Sequence, residues 1–181
     1  STSIRVELVN IINTSCVSMG SVDFNVFENP SFDLDQQGVL CLDETVLDLE
    51  VKNPSDNYSY VWEYIDENNA ITRVGTSSQI TIDVGGTYTV TATTIGDIGC
   101  STTKSIEVKT SEFAKFDTND IIISGFSSQE NTVEIIIGNL GVGDYEYALD
   151  DSSFQDDPYF EQVRPGMRTV KVRDKNGCGV S

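Results

Sequence analysis

Histidine is absent from this 181-residue chain. Without it, neither a Ser-His-Asp triad nor a Cys-His pair can be assembled. No G-x-S-x-G elbow and no phosphate-binding loop occurs either. No apolar run approaches the roughly 18–20 residues of a membrane-spanning helix, so the chain reads as soluble and not membrane-embedded. No signal-peptide pattern opens it, which points to a leader already removed or to a piece of a longer chain. Cysteine is scarce: there are four, none in a C-x-x-C pair, so zinc ribbons and thioredoxin-like sites lack their sulfur pairs. Basic residues are few, 11 against 29 acidic ones, for a net charge of −18. The acidic excess runs through the whole chain and reads as a solvated exterior. Such a surface repels phosphate, which argues against nucleic acid and anionic membranes as partners.

What the chain does have is alternation. "TVLDLEVKN" sets Leu47, Leu49 and Val51 on one face and Asp48 and Glu50 on the other. "SYVWEY" and "QITIDV" repeat the pattern, and Gly, Asn and Asp clusters punctuate it. No segment of a dozen residues carries a 3.6-residue apolar stripe. The expected class is therefore all-β.

The chain also repeats itself. "GTYTVTATTIGDIGC" ends at Cys100 and "GMRTVKVRDKNGC" at Cys178. Each has a glycine, a short alternating run and a closing Gly-Cys. Upstream, "TVLDLEVKN" at 45–53 corresponds to "TVEIIIGN" at 132–139, and "YSYVW" at 58–62 to "YEYAL" at 145–149. A third copy of the ending surrounds Cys16, where "CVSMGSVDFNV" parallels "CSTTKSIEVKT". The cysteines are 84 and 78 residues apart, the length of a small sandwich. The pattern divides the chain into 1–29, the last hairpin of a preceding unit; 30–110, a first complete unit; and 111–181, a second.

About seven short strands in eighty residues suggest two packed antiparallel sheets, so the expectation is a tandem of immunoglobulin-like β-sandwiches. Trp62 sits in the third strand, where a large ring fills the space between sheets. Tyr88 follows Gly-Gly-Thr just before a strand, the setting of a tyrosine corner. The second unit has Leu149 and Arg168 at these places. Cys41 and Cys100 stand at the two ends of the first unit and are expected to form its disulfide. That bond would close a loop of about sixty residues, worth roughly 3–4 kcal/mol in the chain-entropy model. Cys16 would pair with the absent front of its own unit. Cys178 is left free, paired across a junction, or paired beyond Ser181. Four dispersed cysteines in a strand-rich chain suggest an oxidising compartment.

Carboxylates are plentiful, but so small a sandwich leaves little room for a deep cleft, and neither an enzyme nor a cofactor is expected. Asp150, Asp151, Asp156 and Asp157 in "LDDSSFQDDPYF" are weak calcium candidates, with Asp33 and Asp35 behind them. Neither stretch matches an EF-hand loop, and Asp side chains capping turn amides account for both.

"LCLDETVLDLEV", "YSYVWEY", "GGTYTVTATTIGDIGC", "YEYALDDSSFQ" and "RPGMRTVKVRDKNGCG" together resemble the Ig-like, PKD-like repeats of very large Bacteroidota cell-surface proteins. These include SprB-like gliding adhesins and other cargo of the type IX secretion system. The resemblance implies an extracellular place on a bacterial surface. It also implies a type B sorting domain following a unit that ends like "VRDKNGCG". The role it implies is a stalk or spacer in adhesion or gliding. The partners would be neighbouring repeats, with the secretion machinery and surface glycans beyond them. The alternative is a carbohydrate-binding module of a secreted enzyme, with Tyr58, Tyr60 and Tyr64 as its aromatic platform.

Overall fold

The computed structural model describes residues 2–9, 17–24, 27–96, 99–125 and 131–181. The chain opens with an antiparallel hairpin of β1 (Thr2–Val9) and β2 (Val17–Phe24), paired from Thr2↔Phe24 to Val9↔Val17. Cys16 lies outside the described residues, and so does the pairing expected of it.

The first sandwich contains β3 (Gln37–Cys41), β4 (Leu47–Glu50), β5 (Tyr58–Ile65), β6 (Ile71–Gly75), β7 (Gln79–Ile82), β8 (Gly86–Thr94) and β9 (Ser101–Ser111). A five-stranded sheet in the order β3-β9-β8-β5-β6 faces the two-stranded β4-β7 sheet. The alternation in the sequence becomes the inner face. Leu49, Ile80 and Ile82 from one sheet meet Tyr60, Trp62, Tyr88, Val90, Ala92, Ile106 and Val108 from the other. Half of these ten are β-branched, whose stiff side chains fit a pleated surface buried on one side. Two packed antiparallel sheets with this strand order are the expected immunoglobulin-like sandwich. One pairing departs from the antiparallel expectation: β3 runs parallel to β9, from Gln37↔Glu107 to Cys41↔Ser111.

The second sandwich is built from β10 (Ile121–Ser124), β11 (Asn131–Ile135), β12 (Tyr145–Leu149), β13 (Phe160–Val163), β14 (Val170–Asp174) and β15 (Gly179–Val180). Its sheets are β10-β11-β13 and β12-β14-β15. Its own cluster joins Val133, Ile135, Leu140, Tyr145, Tyr147, Phe160, Val163 and Val172. The repeated motifs fall on equivalent strands, β4 with β11, β5 with β12 and β8 with β14.

The expected Cys41–Cys100 disulfide is not formed. Cys41 is bonded to Cys178, across 137 residues of sequence and a Cα–Cα distance of 5.5 Å. The cause is the parallel pairing of β3. It places Cys41 beside Ser111, at the far end of β9, whereas Cys100 precedes the start of that strand. Eleven residues of extended chain separate the two ends, roughly 35 Å at about 3.3 Å per residue. No disulfide reaches across that distance.

Candidate functional site

The most elaborate polar construction lies where the first sandwich passes into the second. Cys178 sits in the turn between β14 and β15, and this turn points back at the end of β3. Beneath the bridge is Asp174, only 2% exposed, with Ser111 fully buried beside it. The Ser111 hydroxyl donates to Asp174 Oδ1 at 2.9 Å, and the Cys178 amide donates to Oδ2 at 3.0 Å. Asn176 Nδ2 donates to Ser111 Oγ at 3.1 Å and to Asp174 Oδ1 at 3.3 Å. A carboxylate this deep is tolerated because donors meet both of its oxygens.

The connecting segment is held from both sides. Toward the first sandwich, the Leu42 amide donates to the Ser111 carbonyl at 2.9 Å, and the Phe113 amide to Asp43 Oδ2 at 2.9 Å. Toward the second, the Glu112 amide donates to the Val142 carbonyl and the Lys115 amide to the Leu140 carbonyl. The Tyr145 hydroxyl lies within hydrogen-bond reach of the Glu112 and Leu140 carbonyls. Lys115 bridges Glu112 at 2.8 Å and Asp43 at 3.3 Å, so one ammonium ties the two sandwiches together. The Phe113 N–H, then Lys115, lower the Asp43 pKa. Lys115, then the Val142 N–H, do the same for Glu112. Gly141 suits this turn because its φ of +101° strains any residue with a side chain, and a Cβ there would also push the Glu112 carboxylate out of place.

Trp62 is fully buried, and its indole N–H donates to the Ser77 carbonyl at 2.9 Å. Tyr88 is 3% exposed, and its hydroxyl donates to the Val84 carbonyl at 2.7 Å, four residues upstream, which is corner geometry. Burial pushes the phenol up to about 12. In the second sandwich Arg168 takes over this tie. Its Nε donates to the Arg164 carbonyl at 3.0 Å, again four residues upstream, while Nη1 pairs with Asp150 at 2.9 Å. The sequence comparison found the replacement but not its equivalence.

The calcium candidates do not converge. Asp150 accepts from the Thr169 amide and pairs with Arg168, Asp151 pairs with Lys171, Asp156 with Lys175, and Asp157 caps the Tyr159 amide. Asp35 is bound to Lys52, and Asp33 lies 3.6 Å from Lys104. No cluster of three metal-ligating side chains occurs among the described residues. Tyr58, Tyr60 and Tyr64 do not form an outward platform. Tyr60 is buried and the other two pack against the core on the same strand face as Trp62. A shallow groove of about 840 Å³ is lined by Tyr64, Asp66, Glu67, Gly86, Glu107 and Lys109 among others. The Asp66 carboxylate in it is occupied by the Asn68 and Ala70 amides of its own turn.

No family model matches the chain, and no curated protein matches it. Among solved structures, murine CEACAM1b is similar over 77% of this chain and 89% of that one, at 10% identity and a TM-score of 0.49. The FN1–FN3 domains of chicken CNTN1 align over 98% of this chain and 73% of that one, at 13% identity and a TM-score of 0.39. Similarity at this level says nothing of function.

Proposed function

We propose that this chain is a non-catalytic segment of a larger surface protein, in which consecutive Ig-like units form a stiff spacer that holds a distal part away from the cell. The observation that carries the proposal is the junction. A disulfide, a buried Ser111–Asp174–Asn176 network and the Lys115 bridge all cross it. Connections between domains that only need to be adjacent are ordinarily short, polar and loosely held. A covalent bond placed across such a connection restrains orientation more than it stabilises either core. A stalk needs that restraint, because its reach depends on how little it bends. The bridge also fits an oxidising, extracellular setting. The finer reading follows the sequence resemblance: a Bacteroidota adhesin or gliding protein exported by the type IX route.

The test compares the wild-type chain with Cys178→Ser by small-angle scattering. The variant is expected to show a broader distribution of interatomic distances, with unchanged circular dichroism. Within the parent protein, deleting these units should leave export and display intact while shortening reach. Loss of adhesion with normal display and reach would replace the spacer reading with direct ligand binding.

A further inference from the structure

β3 and β15 meet end to end at the Cys41–Cys178 bond. β3 runs alongside β9 toward the junction and finishes on Cys41, opposite Ser111. β15 starts one residue after Cys178 and runs back along β14, from Asp174↔Gly179 to Arg173↔Val180, away from the junction. One strand therefore arrives at the sulfur bridge and the other leaves from it. Everything between them, Leu42 to Gly177, is a covalently closed loop whose ends are held at a Cα–Cα distance of 5.5 Å. That loop carries every member of the two hydrophobic clusters except Phe32, Leu34 and Leu40.

Tension does work only where a chain can lengthen. A strand rises about 3.2–3.4 Å per residue, against a limit of about 3.3–3.6 Å for a fully extended chain, so β3 and β15 have almost no length to give. The folded loop has a great deal: stretched out, the residues joined by the bridge span roughly 450–490 Å. Without the sulfur bond, a pull on Gln37 and Val180 must pass through that loop. It would shear the five β3–β9 pairs, whose strands enter and leave the first sandwich at opposite ends, and load the second sandwich behind them. A bond inside one sandwich would shield that unit alone. A bond across the junction shields both.

We propose that Cys41–Cys178 is a load-bearing link: tension along the chain passes from β3 through the bridge to β15, and both sandwiches hang beside this path as a slack, folded loop. From Gln37 to Val180 the chain is inextensible while the bridge is intact and extensible once it is reduced. Both cysteines are half-buried, so a thiolate from solvent can reach them. Its attack on one sulfur forms a mixed disulfide and releases the other sulfur as a thiolate, and the load then falls on the loop. The inference rests on the spacer reading, since only a segment that is pulled needs such a path.

The experiment stretches the 181-residue chain by single-molecule force spectroscopy, with handles joined to its two ends through peptide tags rather than thiols. The oxidised chain should lengthen only by what precedes Cys41, with no release from the loop. Cys178→Ser should release a further length of roughly 450–490 Å, in two steps, one for each hydrophobic cluster. The wild-type chain in dithiothreitol should do the same, which separates a lost bridge from a misfolded variant. Release of the loop from the oxidised chain at the force that opens Cys178→Ser would overturn the proposal. Equal resistance of the oxidised chain, the reduced chain and the variant would also overturn it, because the folds alone would then carry the load. The spacer reading fails separately: if the chain is inextensible here but its deletion leaves the reach of the parent protein unchanged, the load path stands and the stalk does not.

Discussion

Tyr88 and Arg168 show how the same position in a repeated unit is filled by different chemistry, while Trp62 shows what a core position requires. Trp62 fills the space between two sheets and satisfies its only donor on Ser77. Trp62→Ala should cost about 3–5 kcal/mol, read from the urea midpoint at constant slope. A loss under about 1 kcal/mol would place the ring outside the core. At the corner, Tyr88 and Arg168 reach the equivalent carbonyl, one with a hydroxyl and one with a guanidinium. Tyr88→Phe keeps the ring and removes the tie, which should cost about 1 kcal/mol. Its pH dependence has a definite sign. Burial raises the folded-state pKa from 10.0 to about 12, so the stability it contributes is whole below pH 10 and is lost as the pH rises toward 12. Alkaline denaturation curves should therefore flatten in Tyr88→Phe, though not fully, because burial also raises Tyr145 and Tyr147.

At the scale of elements, the connecting segment 111–115 behaves as a strap with attachments on both sides. Two carboxylates are held in their charged form here, Asp43 of the first sandwich first by the Phe113 amide and Glu112 of the strap first by Lys115. Folded-state pKa values below the ordinary ones, 3.8 and 4.5, mean the stabilisation is present above those values. It is lost as the pH falls below them. Acidification from pH 6 to 3 should loosen the strap before either core unfolds, seen as faster amide exchange at Phe113 and Val142. Simultaneous loss of protection in the cores would contradict this order. Ser111→Val removes a donor from buried Asp174 and should cost about 1–3 kcal/mol.

For the whole molecule, the bridge closes a loop across 137 residues, worth about 5 kcal/mol in the chain-entropy model if the chain unfolds as one unit. Peptide mapping without reductant should recover Cys41 linked to Cys178. A Cys41–Cys100 peptide would contradict the strand order at the junction. The two hydrophobic clusters draw on separate stretches, 32–108 and 114–172. We propose that they fold separately. Residues 30–110 expressed alone should then unfold cooperatively, and an aggregated product would count against the division.

The all-β class and the matching of β5 with β12 and β8 with β14 could be read directly from the chain. Alternation such as Leu47-Leu49-Val51 is a local consequence of the two-residue period of a strand, and repetition is visible without coordinates. Trp62 and Tyr88 could be singled out because large rings and glycine-led corners have few places to go in a sandwich. The junction was not legible. Ser111, Asp43 and Glu112 lie in no periodic pattern, and Asp174 sits in a turn motif that reads as solvent-exposed. The cysteine pairing was misread for the same reason. Proximity in a unit was inferred from its ends in sequence, but the parallel docking of β3 on β9 moves Cys41 to the end where the next sandwich begins. Strand direction is set by long-range pairing, and only the tertiary structure could decide which cysteine lay within reach.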